Sequence, residues 1–219
     1  MIVGFKILSF IALAGVTPQI ESLSRNKILD RLQERIDFFM AFKTCLFPGP
    51  PDFETLHAAK LTEFPLEKRD YKPFSQGRIC FAPDGLHVQF HCFEAISQPE
   101  SEIRGVLRFT PDSLLTLSLY ADGRFQVVAN GINVPEGELH PFSGEDLQGV
   151  YWGGSFFVPA SFLKSCFGFQ AEVGEAFTGN FYKLCEAPEK THYGSFYPAD
   201  FTKPLDVPEN LGDFIIISY

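Results

Sequence analysis

Arg78 to Glu94 reads R-I-C-F-A-P-D-G-L-H-V-Q-F-H-C-F-E, two apolar runs joined at Pro83-Asp84-Gly85. Pro presets one backbone dihedral, Asp bonds its own backbone and Gly accepts a left-handed bend, so those three residues mark a turn. Beyond it Leu86, Val88, Phe90 and Cys92 fall on one face, and His87, Gln89, His91 and Phe93 on the other. A period of two is that of a half-buried strand, so the segment predicts a hairpin of residues 78–82 and 86–94. His87 and His91 share a face at a spacing that can suit a metal, but no third ligand accompanies them, and no metal site is assigned.

The same grammar extends outward. Residues 113–120 and 124–129 flank Ala121-Asp122-Gly123, a second turn signal. Gly144 to Trp152, Ser155 to Pro159, Phe167 to Val173 and Phe214 to Ser218 supply further strand candidates. Short strands with turns about every 8 to 12 residues predict an all-β, antiparallel two-sheet β-sandwich of jelly-roll or immunoglobulin-like type. Only residues 20–46 carry helical spacing: Ile28, Leu29, Leu32, Ile36, Phe39 and Met40 recur at three- and four-residue steps. That helix would end before Phe47-Pro48-Gly49-Pro50-Pro51 and pack on the flank of the sandwich. The expected division is an N-terminal apolar segment and helix over residues 1–50 and a β-sandwich over 51–219.

Bulk composition narrows the function classes. Of 219 residues, 15% are aromatic, 25 of them Phe, and 21% are charged, so the chain has the apolar content to fold. Its 18 basic and 27 acidic residues leave a formal net charge of −9. With no basic stripe, nucleic acid and anionic membrane surfaces are poor partners. A neutral saccharide meets no such obstacle. Ile7 to Val16, ending near Ala12-Leu13-Ala14, loosely resembles a signal peptide but is too short for the ~20 apolar residues of a membrane span. The five cysteines, Cys45, Cys80, Cys92, Cys166 and Cys185, form no zinc spacing. Reduced, buried thiols are the favoured reading, with a Cys80–Cys92 bridge across the hairpin as the alternative. The thiols tilt localisation toward the cytoplasm rather than secretion.

Phe177 to Pro198, F-T-G-N-F-Y-K-L-C-E-A-P-E-K-T-H-Y-G-S-F-Y-P, concentrates rings, an amide, a cation and an imidazole. A pyranose presents an apolar face that stacks on aromatic rings, while its hydroxyls need fixed donors and acceptors. Phe196, Tyr197, Tyr182 and Trp152 are therefore the candidate stacking rings. Asn180, Lys183 and His192 are the candidate hydroxyl partners.

Gly179-Asn180-Phe181-Tyr182-Lys183, followed by His192-Tyr193-Gly194-Ser195-Phe196-Tyr197-Pro198, resembles the closing signature of family 9 carbohydrate-binding modules. In that family a G-N-F-Y-K stretch precedes an S-W-N-P-like turn and a last strand. Gly77 to Glu94, Pro111-Asp112-Ser113 and Gly153 to Pro159 match coarser features in the same order, so the resemblance covers roughly residues 58–219. It implies a DOMON-like β-sandwich that binds a mono- or oligosaccharide in carbohydrate catabolism, often with structural calcium. For a hard cation, Asp112 and Glu94 are the carboxylates at hand; no cofactor is certain. The chain departs from the pattern at Phe196 (commonly Trp), at Thr116 (a carboxylate) and at Gln126 (a basic side chain).

No catalytic residue is assigned. A glycoside hydrolase, or an accessory part of one, is the first rival and needs two carboxylates ~5–10 Å apart. Glu172 and Glu175 are the acids nearest the candidate stretch. A structural or protein-interaction module without a small ligand is the second rival. It would bury the rings near residue 196.

Overall fold

The computed structural model describes residues 40–219 with the exception of Glu136. The strands are β1 (Phe42–Leu46), β2 (Ala59–Lys60), β3 (Phe74–Ala82), β4 (Gly85–Phe93), β5 (Glu102–Arg108), β6 (Leu115–Tyr120) and β7 (Phe125–Ala129). They continue with β8 (Ile132–Asn133), β9 (Glu138–Asp146), β10 (Gly149–Pro159), β11 (Ala176–Cys185), β12 (His192–Ser195) and β13 (Gly212–Ser218). The helix α1 (Ala160–Phe167) sits between β10 and β11.

The all-β expectation holds, and the expected hairpin is present with Ala82 opposite Gly85 and Phe74 opposite Phe93. The expectation of two separate antiparallel sheets does not. Hydrogen bonding runs through one 13-stranded sheet in the order β8-β7-β6-β5-β11-β13-β1-β3-β4-β10-β9, with β12 attached to β11 and β2 to β3. The sheet is mixed because β1 lies parallel to both its neighbours, β13 and β3. It curls so that its two arcs face each other across the core. Phe90 of β4 meets Phe181 of β11 edge-on at 5.5 Å, and Phe125 of β7 meets Phe156 of β10 at 6.3 Å.

Glycines on opposite arcs make room for the central ring. A Cβ on Gly77 of β3 would stand 2.8 Å from the Phe181 ring, and one on Gly105 of β5 would stand 3.3 Å from it. Phe181 is fully buried there. A contact of 2.8 Å is closer than real Cβ atoms approach, so the ring fills space that a side chain at Gly77 would take, with Gly105 a tight fit on the other side.

Three expectations are corrected. Phe42 to Leu46, read as the end of a helix, is strand β1, with Phe42 and Leu46 packed against the core at a period of two. The rest of that helix, residues 20–39, and the apolar stretch 7–16 lie outside the described residues. Phe167 to Val173 is not a strand. It holds the end of α1, closed by Gly168 in the left-handed region at φ 63°, and a loop whose Phe169 packs 4.4 Å from Phe109. Cys80 and Cys92 do not face each other: Cys80 stands opposite His87 and Cys92 opposite Ser75, and all five cysteines are free thiols.

Candidate functional site

Strand β11 places the signature residues on two faces. Phe181 and Lys183 point into the interior between the arcs, whereas Asn180, Tyr182 and Leu184 lie on the outer side of the sheet beside β5. Both faces are covered, so Asn180, Tyr182 and Lys183 are all fully buried, and His192 and Trp152 are buried as well. In this arrangement none of the five offers a surface to a ligand.

Lys183, His192 and Trp152 belong to one internal polar network. The Lys183 ammonium donates to Ser101 Oγ at 2.5 Å and to His192 Nε2 at 3.1 Å, and lies 3.4 Å from Glu94 Oε2. Ser101 Oγ, Trp152 Nε1 and the Tyr71 hydroxyl in turn donate to the Glu94 carboxylate, at 2.6, 3.4 and 3.2 Å. His192 Nδ1 donates to the Lys190 carbonyl at 2.7 Å. With its Nε2 facing an ammonium, the imidazole is neutral with the proton on Nδ1. Burial and the neighbouring Lys183 charge push its pKa down to about 4. For Glu94, burial alone would raise the carboxyl. The Lys183 charge and the Ser101 bond outweigh it and hold the group below its ordinary value. A buried charge pair persists only when every donor and acceptor is matched, and this one is.

Asn180 and Tyr182 hold a different element. Asn180 Nδ2 donates to the carbonyls of Tyr197 and Asn210 at 3.0 and 2.8 Å, and its Oδ1 accepts from the Tyr197 and Phe181 amides at 2.9 Å each. The Tyr182 hydroxyl lies 2.8 Å from the Leu205 carbonyl and 2.9 Å from that of Asn210. Asn210 then bonds back to the Asp200 and Pro204 carbonyls. Phe196 and Tyr197 pack inward at the start of the same segment. Phe196 meets Phe42 edge-on at 5.3 Å, and the Tyr197 hydroxyl donates to the Asp213 carbonyl at 2.7 Å. The rings expected to face a sugar therefore tether residues 196–211 to the sheet.

That tethered segment forms one wall of an open cleft of about 810 Å³ over the outer face of β5, β6 and β11. Phe201 and Leu205 supply its apolar side together with Leu184 and Tyr193, the Phe201 and Tyr193 rings lying 5.6 Å apart. The same cleft is lined by Glu102, Arg104, Thr116, Tyr120 and Arg124, with Glu102 standing next to Leu184 in register. Arg104 grips Glu102 through Nε and one terminal nitrogen at 2.7 and 2.9 Å, and the Arg124 guanidinium lies 4.5 Å from the Tyr120 ring centre. Glu186, Lys203 and Asp206 complete the rim. A second hollow, of about 610 Å³, is lined chiefly by Phe47, Phe81, Phe169 and other apolar groups.

No family model matches this sequence, and no curated protein matches it. Solved structures do. A candidate carbohydrate-binding protein from Bacteroides uniformis superposes with a TM-score of 0.62 at 14% identity, over 81% of this chain and 99% of the other. Two structures of a family 9 carbohydrate-binding module from Caldicellulosiruptor kristjanssonii also superpose. One is in complex with glucose (TM-score 0.59, 7% identity, 81% of this chain and 96% of the other) and one with cellotriose (0.56, 6%, 81% and 94%). The fold is that of a family 9 carbohydrate-binding module.

Within that family 9 fold, two of the departures from the signature, Thr116 and Gln126, fall at or beside the cleft, whereas Phe196 packs against the core. Thr116 lines the cleft, and Gln126 stands on β7 opposite Ser118, one strand farther out. Among the described residues no group of three or more His, Cys, Asp and Glu side chains is placed to hold a metal ion, and Glu94 is committed to Lys183. His87 Nε2 is 2.9 Å from Asp84 Oδ1 rather than paired with His91. Among the described residues no helix is long and apolar enough to cross a membrane.

The cleft residues that the sequence reading missed are Glu102, Arg104, Tyr193 and Phe201. A usable signal was present in Glu102-Ile103-Arg104-Gly105-Val106, where charged side chains alternate with small or apolar ones. That is a strand with a polar face.

Proposed function

We propose that this domain binds a short saccharide in the cleft above β5, β6 and β11, without chemistry of its own. The sugar's apolar face rests on Tyr193 and Phe201. Its hydroxyls meet the Glu102–Arg104 pair, Thr116 and the Tyr120 hydroxyl. The observation that carries this reading is one open cleft lined both by the Tyr193 and Phe201 rings and by the donors and acceptors of Glu102, Arg104, Thr116 and Tyr120. A saccharide needs both, because hydroxyls that lose water must find partners while the ring face seeks an apolar surface. The fold adds support, since similarly folded modules were solved with glucose and cellotriose. Asn180 and Tyr182 act as positioning residues that hold the Phe201 wall, and Lys183, His192 and Trp152 stabilise the β11–β12 end of the sheet.

Titration calorimetry with glucose and cellotriose tests the reading. An open site with a few stacked and hydrogen-bonded groups gives a Kd of roughly micromolar to millimolar. Phe201→Ala weakens it about tenfold or more. A full glycan array with no saccharide bound would overturn the assignment.

A further inference from the structure

The two arcs of the curled sheet meet at a narrow join. β1 pairs with β13 over five register positions, Phe42 opposite Phe214 through Leu46 opposite Ser218. With β3 it pairs over only two, Cys45 opposite Cys80 and Leu46 opposite Phe81. One of the two positions that connect the arcs through backbone pairing is thus a facing pair of thiols. Both side chains lie on the outer side of the sheet, in a small cluster with Phe47, Leu56 and Ala82 that is separate from the main core.

We propose that Cys45 and Cys80 are an oxidation site, forming a reversible disulfide that staples the two arcs together. Neighbouring strands run about 4.8 Å apart. Disulfides bridge Cα atoms about 4.4–6.8 Å apart, so facing residues at this join meet the distance requirement without moving a strand. Attack by reduced glutathione on the partly exposed Cys45 sulfur reopens the bridge, which makes the link reversible. Access is one-sided. Cys80 is fully buried, whereas Cys45 is partly buried and is the more accessible of the two thiols. Burial raises both thiols, and for Cys80 burial and then the nearby Cys45 take the value to about 12. Oxidation is therefore slow near neutrality and faster at alkaline pH.

With oxidised glutathione as the oxidant, the Cys45 thiolate attacks its S–S bond and releases one glutathione thiolate, leaving a mixed disulfide. The Cys80 thiolate then attacks the Cys45 sulfur, the Cys45–Cys80 bond forms and the second glutathione leaves. Two protein thiols lose two protons and two electrons, and one glutathione disulfide becomes two thiols.

The test equilibrates the full chain in glutathione buffers of rising oxidised fraction, blocks free thiols by alkylation and maps peptides by mass spectrometry. The expected product is a peptide joining Cys45 to Cys80 with two hydrogens lost, reversed by reduced glutathione. The melting temperature should rise by roughly 5–10 °C on oxidation. Cys45→Ser and Cys80→Ser, each checked for folding by circular dichroism, should abolish both changes. Should Cys80→Ser fail to fold, Cys45→Ser alone decides. Separate alkylation of Cys45 and Cys80 under conditions where exposed Cys166 already carries glutathione would overturn the proposal. So would a bridge that leaves the melting temperature unchanged.

Discussion

The Asn180 side chain holds both ends of the cleft wall, donating to the Tyr197 carbonyl at 3.0 Å and to the Asn210 carbonyl at 2.8 Å. Its oxygen also accepts from two backbone amides. Replacing it with Ala strands several buried partners at once. Asn180→Ala should cost about 3 kcal/mol of stability in urea titration, since each buried group left unpaired costs ~1–3 kcal/mol. Sugar affinity of the folded protein should fall with it, although the residue touches no ligand.

Tyr182→Phe separates tether from floor. The ring stays under the cleft and only the hydroxyl bonded to the Leu205 and Asn210 carbonyls is lost. The expected cost is about 1 kcal/mol, with a two- to fivefold weaker saccharide Kd. An unchanged Kd would show that the wall holds its place without this bond.

Phe196→Ala and Phe201→Ala should part company. Phe196 packs against Phe42 and Tyr197 at 5.3 and 4.5 Å, so its loss opens a gap and should lower stability by about 2–3 kcal/mol while the folded fraction still binds sugar. Phe201→Ala should do the reverse, with little change in urea midpoint and at least a tenfold loss of affinity. Equal loss of affinity in both variants would return Phe196 to the site.

Lys183→Met leaves the Glu94 carboxylate buried beside Trp152 and Ser101 with no cation. Breaking such a pair from one side costs about 3–5 kcal/mol, and the double variant Lys183→Met, Glu94→Gln should recover a large part of that. Chemical denaturation of the two variants beside the wild type measures both.

Acid should destabilise the fold in two stages. The folded His192 titrates at about 4, below its ordinary 6.5, so between those values the unfolded chain binds a proton that the folded chain does not. Stability is then complete above pH 6.5 and is lost as the pH falls toward 4, by at most about 1.4 kcal/mol per pH unit for one proton. The Glu94 carboxyl, held below its ordinary 4.5, adds a further loss at still lower pH. His192→Gln, which keeps an acceptor for Lys183, should flatten the urea midpoint between pH 6.5 and 4. An unchanged slope would assign the acid sensitivity elsewhere.

The hairpin of β3 and β4 was legible because one of its strands, β4, is buried on one face only, so Leu86 to Phe93 alternates. Strand β11 was not legible. Covered on both sides, Phe181 to Cys185 is buried without a break and carries no period of two. β1 was misread because Phe42 and Leu46 continue the three- and four-residue spacing of the residues before them. Pairing with β13, far away in sequence, overrides that local signal. Asn180, Tyr182, Lys183 and His192 of the aromatic-rich stretch 177–198, and Trp152 beside them, were expected to turn toward a ligand, and the structure buries all five. Composition shows that rings gather there, but which of them face water depends on Asn210 and on a wall that folds back from residues 196–211.

The insertion of β1 between β13 and β3 bears on how the chain emerges from a ribosome. β1 is made early and the partner it pairs with over more positions, β13, comes near the end of these residues, so Phe42 waits for Phe214 through nearly the whole synthesis of the domain. Pairings this distant close late and slowly. Until then the flank of β1 destined for β13 is an open strand edge, and a nascent domain with such an edge is a natural client for a chaperone that shields exposed backbone.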